Sequence, residues 1–263
     1  MKLIEKYPAL CDSYKWGKTK PSVCQEIFKV IDKKLGENIS FVASENFNGL
    51  EIGIYRCKIS GIRYSLVPGG SFNFGLSEKE EQQASKYVEE MELDCSIMQP
   101  VKTFHVNPIL VSIHPITEKQ ITSLIEIDDT VRLYDPIEGE VAFTVSRKEA
   151  IRVMDITKMT IVSEIEWEYL CRATTKTLFN SGDKLNSDVE ECFSLFTFDD
   201  SEECKSCSNL FGLCGFGVGE WCLDNYTDSY DLHNSGDFVF KDDSEEYVVR
   251  GGAAALYPWQ GCD

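Results

Sequence analysis

Cysteine is the residue type with the most chemistry to offer in this chain, with 11 among 263 residues. The densest group is Cys204-x-x-Cys207, followed by Cys214 and Cys222. Four thiolates brought together can hold zinc in a tetrahedral site. Here the second pair is spaced C-x7-C instead of C-x2-C, which favours free thiols in a loop and the strand after it. Cys57, Cys95, Cys171 and Cys192 sit singly in periodic segments, where a buried free thiol acts as a small hydrophobe. The histidines are His105, His114 and His233. None stands at metal-ligand spacing from another, so they read as structural or surface residues. No G-x-S-x-G or G-x-x-x-x-G-K-S/T motif occurs. Gly215-x-Gly217-x-Gly219 lacks the strand-to-helix setting of a dinucleotide loop.

Composition sets the background for these groups. The chain has 44 acidic and 26 basic residues, a formal net charge of −18, and 43% hydrophobic residues. That apolar share is enough for a globular core. So negative a chain repels phosphate backbones and anionic lipid headgroups, which argues against nucleic acid and membrane surfaces as partners. It favours cations or basic partners, and a protein or peptide partner is expected among these. No stretch is apolar for long enough to span a bilayer, and Met1 to Pro8 lacks a secretory leader pattern, so a cytoplasmic protein is expected.

The elements that must position these residues follow from periodicity. Val23, Ile27, Phe28, Val30, Ile31 and Leu35 fall at helical spacing over residues 21–35, and Gly36 stops the helix. Strands are expected around Ile39–Val42, from Ile52 to Ile59 and from Ile62 to Val67, with a turn at Asn46–Gly49. Residues 77–93 read as a solvated helix or a loop with helical tendency. Strands are expected again at 101–105, 109–113, 131–134 and 141–145, with a short helix beginning at Pro115-Ile116-Thr117. Ser146 and Ser163 each precede a glutamate by three residues, Glu149 and Glu166, as helix-starting capping boxes do. In the second helix Glu168 and Arg172 form an i,i+4 pair, and Ile165, Trp167, Tyr169 and Leu170 require burial. Residues 180–209 read as loop. Asp199-Asp200-Ser201-Glu202-Glu203 recurs as Asp242-Asp243-Ser244-Glu245-Glu246, each after a Phe-x-Phe pair, and both strings read as acidic loop tips.

Four stretches, in order, resemble the formylglycine-generating-enzyme (sulfatase-modifying-factor) family. They are Leu66 to Gly75; Ile113-His114-Pro115-Ile116-Thr117; Ser163 to Arg172 with Leu178 to Asp183; and Asn209 to Leu213, Glu220-Trp221-Cys222-Leu223-Asp224 and Val249-Arg250-Gly251-Gly252. The third is the most specific, against a family pattern P-T-E-A-E-W-E-Y-A-A-R. The resemblance implies an α+β, C-type-lectin-like sulfatase-modifying-factor fold with little regular structure over residues 59–263. A small N-terminal α/β appendage would occupy residues 1–58. It assigns Ser163, Glu166, Trp167, Glu168, Arg172, Trp221, Arg250, Gly251 and Gly252 mainly to holding the fold.

The resemblance also implies a reaction, oxidation of a substrate cysteine at copper(I) held by two cysteines after the R-G-G motif. In this chain Leu256 stands about where the first belongs, and Cys262 falls alone near the second. The tract to Asp263 shows no basic Tyr/Arg run and no closing G-F-R strand. Copper is therefore not expected, because copper(I) favours two thiolates. The family's calcium tract is contracted to Cys214–Trp221, leaving Glu220 and the carbonyls of Gly217 and Gly219 as candidate ligands. The expected function is a non-catalytic binding or accessory module. The alternative is an oxidoreductase of the formylglycine-generating type, acting through Cys262 on a protein or peptide cysteine.

Overall fold

The computed structural model describes residues 3–88, 95–126, 142, 145–177, 198, 205–234 and 238–251. In chain order its helices and strands are α1 (Leu3–Lys6), α2 (Ser13–Gly17), α3 (Pro21–Asp32), β1 (Ile39–Phe47), β2 (Leu50–Cys57), β3 (Arg63–Val67), β4 (Gly70–Phe74), α4 (Glu78–Val88), β5 (Lys102–Val106), β6 (Ile109–Ser112), α5 (Glu118–Thr122), α6 (Arg147–Thr157), α7 (Glu164–Arg172), β7 (Glu220–Asn225) and β8 (Tyr247–Arg250). The mixture of short helices and small antiparallel sheets is the expected α+β class. The helix expected over 115–124 is shorter than its periodicity suggests, and the one over 77–93 is described only to Val88. The strands expected at 131–134 and 141–145 fall mostly outside the described residues; within them Ala142 makes a bridge to Thr117.

The chain divides into two interleaved compact units, one of Met1–Gly70, Asn107–Thr160 and Leu195–Gly215, the other of Ser71–Val106, Ile161–Ser194 and Phe216–Asp263. In the first, four antiparallel strands run in the order β1-β2-β3-β6. Asn48 and Gly49 take positive φ (49° and 96°) in the two-residue turn joining β1 to β2, the geometry that suits the right-handed twist of a hairpin.

Helix α3 lies on one face of this sheet through Ile27, Phe28 and Ile31, all buried. Phe28 occupies the space left by a missing side chain at Gly53, where a Cβ would lie 2.6 Å from the ring. Around it are Trp16 (5.9 Å between ring centroids) and Phe41 (5.5 Å), and Phe41 in turn meets Tyr55 (5.5 Å). Polar ends are satisfied locally. The Tyr55 hydroxyl donates to the Phe28 carbonyl (2.9 Å), Trp16 Nε1 to the Glu51 carbonyl (2.8 Å), and Asp32 accepts from the Phe41 N–H (2.6 Å).

On the opposite face the Asn209–Leu213 loop folds back on itself. Asn209 Oδ1 accepts from the N–H groups of Phe211 (2.9 Å) and Leu213 (3.2 Å), and Ser65 donates to the Phe211 carbonyl (2.6 Å). Thr117 and Gln120 form a capping box at the start of α5 that the sequence reading placed only as a helix start.

The second unit holds two ribbons, β4 with β5 and β7 with β8, and helix α7 packs against β5, β7 and β8. Ser163 and Glu166 make the expected reciprocal capping box. In the first unit, only half of the box expected at α6 forms: Ser146 accepts from Glu149 N–H, while the Glu149 carboxylate pairs with Arg152 at 3.1 Å.

Candidate functional site

Helix α7 turns three charged side chains, Glu164, Glu168 and Arg172, to one side at intervals of four residues, one above the next. That side is buried, and buried charges are stable only when paired and hydrogen-bonded. Arg250 at the end of β8 supplies the main partner. Its Nη1 donates to Glu164 Oε1 and to the Tyr230 hydroxyl, both at 2.8 Å, and its Nη2 reaches Glu168 Oε2 at 3.2 Å. The Tyr230 hydroxyl donates to Glu164 Oε1 at 2.8 Å, closing a triangle. Glu168 Oε1 accepts from Arg172 Nε at 2.8 Å, the pair expected from spacing.

The network extends to the β4 turn. Arg172 pairs with Glu80 and donates to the Gly75 carbonyl at 2.9 Å, while the Gly75 N–H donates to Glu168 at 2.9 Å. Gly75 has φ 99°, and a Cβ there would lie 2.5 Å from the Met98 carbonyl, so this turn requires glycine. At the other end of α7, Asp224 accepts from the Glu164 N–H at 2.7 Å and from the Phe240 N–H at 2.8 Å. Its carboxylate thereby also serves a free donor of the helix's first turn.

Protonation follows from these partners. Burial alone pushes Glu164 up, but the His233 side chain, Arg250 and Tyr230 outweigh it and hold the carboxyl below its usual value. His233 Nε2 stands 3.4 Å from Glu164 Oε2, and its ring meets Phe74 edge-on at 5.1 Å. Burial also opposes ionisation of Glu80, yet Arg172 and Ser77 keep its carboxyl low. Asp224 behaves oppositely, with burial raising it to about 6.

Trp167 is core, as its place in the motif predicts, at 6% exposure. It meets Phe216 edge-on at 5.5 Å, and the Arg250 guanidinium lies 5.0 Å from its ring centre. Its indole N–H donates to Glu220 Oε1 at 3.2 Å. Burial raises Glu220 to about 7, only partly opposed by that bond. Gly251, just past β8, lets backbone approach backbone: its φ is 94°, and a Cβ would lie 2.2 Å from the Val218 carbonyl. Trp221 is half-buried and opposite Val249 in the β7–β8 ribbon.

The remaining candidates divide. Gly217 is buried and Gly219 exposed, and among the described residues no group of three His, Cys, Asp or Glu side chains is placed to hold a metal. Cys207 is disulfide-bonded, so the reading of four free or zinc-bound thiols fails there. Cys214 and Cys222 are buried, not disulfide-bonded, and belong to different units. Cys57 is buried as expected, but Cys171 is only half-buried. Cys192, Cys204, Gly252, Leu256 and Cys262, with the first of the two acidic strings, lie outside the described residues.

Sequence reasoning missed Gly75, Glu80, Glu164, Asp224, Tyr230 and His233 as members of one network. The spacing of Glu164 four residues before Glu168 carried a usable signal. Tyr230 and His233 carried none, since they sit in an irregular segment remote in sequence from α7.

With this geometry in hand, residues 56–260 match the sulfatase-modifying factor enzyme 1-like domain, and the chain belongs to that family. A solved structure with the same overall fold is that of PvdO from Pseudomonas aeruginosa, at 17% identity, TM-score 0.53, covering 84% of this chain and 91% of that one. No curated protein matches the sequence.

Proposed function

We propose that this chain is a non-catalytic binding or accessory module of the sulfatase-modifying-factor family, on a C-type-lectin-like scaffold, with a protein or peptide partner. The observation that carries this reading is the thiol inventory after Arg250-Gly251. Leu256 stands about where the family's first copper cysteine belongs, and Cys262 is the one thiol in residues 251–263. Copper(I) held for oxygen chemistry requires two soft ligands close together. Cys222, the cysteine within a family motif, lies fully buried in β7. The donor set therefore does not fit copper.

The family's charged motif residues support the same reading. Glu164, Glu168, Arg172 and Arg250 bind one another, which assigns them to holding the fold. The Cys207 disulfide favours an oxidising compartment over the cytoplasm.

The test is to incubate the copper-loaded full chain with a Cys-x-Pro-x-Arg peptide under oxygen and follow the peptide mass. We expect the mass to stay unchanged. Conversion of the cysteine that disappears in Cys262→Ala would establish the oxidoreductase instead.

A further inference from the structure

The charge of this chain is distributed unevenly. Residues 1–63 contain 11 basic and 7 acidic residues, whereas the other 200 contain 15 and 37. The basic segment includes the outer part of the four-stranded sheet, where β1 has no strand beside it on its far edge among the described residues. The β1–β2 register shifts between Phe41 and Ala43, leaving Val42 as the extra residue of a bulge. Bulges re-aim side chains, and Val42 is 56% exposed.

An open groove lies at this end of the sheet, lined by Ser40, Val42, Arg56, Cys57, Lys58 and Ile59 among others. Ser40 stands directly opposite Arg56 in the ladder, so their side chains share a face. Ile59, in the turn after β2, is 58% exposed. Arg56 and Lys58 are exposed, and among the described residues neither side chain has an ion-pair or hydrogen-bond partner. The contrast within the same unit is Arg63, which pairs with Glu45 at 3.0 Å. Two unpaired cations beside two exposed aliphatic side chains, in a chain with this excess of carboxylates, form a surface complementary to anionic side chains flanking an apolar one.

We propose that this groove docks an acidic peptide segment of a protein partner. The partner's carboxylates meet Arg56 and Lys58, and an intervening aliphatic side chain covers Val42 and Ile59. The inference deepens the binding-module reading and rests on it. The surrounding negative charge makes the site selective, because an acidic segment is attracted only where the basic face is exposed, and salt screens that attraction.

The test uses the full chain and a fluorescein-labelled peptide Asp-Glu-Leu-Asp-Glu, read by fluorescence anisotropy. Binding should weaken as salt is raised and vanish for Lys-Lys-Leu-Lys-Lys. Arg56→Glu with Lys58→Glu should weaken it by about tenfold or more, and Val42→Ser with Ile59→Ser by about threefold. All four side chains are exposed, so folding should be unaffected, and circular dichroism checks this. Equal affinity for the charge-reversed variant would overturn the proposal. So would tighter binding of a single-stranded RNA of equal charge, or a self-association that Arg56→Glu abolishes. None of these outcomes depends on oxidation of a cysteine peptide, so failure here and failure of the non-catalytic reading are separable.

Discussion

Two helices in this chain are attached to strands by opposite chemistry. Helix α3 is held on its sheet by aromatic and aliphatic surface, with Phe28 filling the gap over Gly53. Helix α7 is held by charge, with Glu164, Glu168 and Arg172 bound to Arg250, Glu80 and the Gly75 backbone. Apolar contacts are non-directional and degrade gradually as atoms are removed. A buried ionic network is directional. Its charges offset the cost of losing water only while every partner is present. The α3 attachment should therefore tolerate conservative change, and the α7 attachment should not.

The largest effect expected follows from removing Arg250. Arg250→Ala leaves Glu164 and Glu168 buried with part of their charge unanswered, and should cost about 3–5 kcal/mol in a denaturant titration. Arg250→Lys sharpens the contrast. Lysine has a single ammonium, whereas Arg250 engages Glu164, Tyr230 and Glu168 with two nitrogens, so the change should recover less than half of that loss. Full recovery by lysine would show that net charge, not geometry, holds α7.

The matching change in the other region is Phe28→Leu, which keeps an apolar side chain and leaves a partly filled gap over Gly53. It should cost about 1–2 kcal/mol, well below Arg250→Ala, by the same measurement. A loss as large as that of Arg250→Ala would erase the distinction between the two regions.

The same contrast explains how much was legible in the sequence. The helix carrying Ile27, Phe28 and Ile31, the Asn48-Gly49 turn and the Ser163–Glu166 capping box depend on residues close together in sequence, and each has a local signature. The Glu168–Arg172 pair was readable for the same reason. Arg250 was recognised within its motif, but its partners were not, because Glu164 and Tyr230 lie 86 and 20 residues away. Periodicity carries no information over such separations. Gly75 was legible only as the last residue of a family-like stretch, since its bonds to Glu168 and Arg172 run through its backbone, which sequence does not distinguish.

The smallest effect concerns Glu220, which belongs to the ionic region but escapes its pairing. Its one described donor is the Trp167 indole, and burial raises it to about 7. A carboxyl whose folded pKa is raised binds more protons in the native state than in the unfolded chain. Its contribution to stability is therefore present at low pH and is lost as pH rises from the usual carboxylate value through about 7. Asp224, raised to about 6, acts in the same direction. Glu80 and Glu164 are held low and act oppositely, stabilising above the usual carboxylate range and losing that contribution as pH falls through their own values. Stability should thus rise as pH is lowered from 8 towards about 5.5, then fall in more acidic solution. Glu220→Gln keeps an acceptor for Trp167 and cannot ionise, so it should stabilise the chain by about 1 kcal/mol at pH 8 and flatten the neutral part of the profile. Denaturation midpoints of the two proteins across this range provide the measurement. If they run parallel, Glu220 is ionised in the folded chain at neutral pH and has a counter-charge, which would place it inside the network with Glu164 and Glu168.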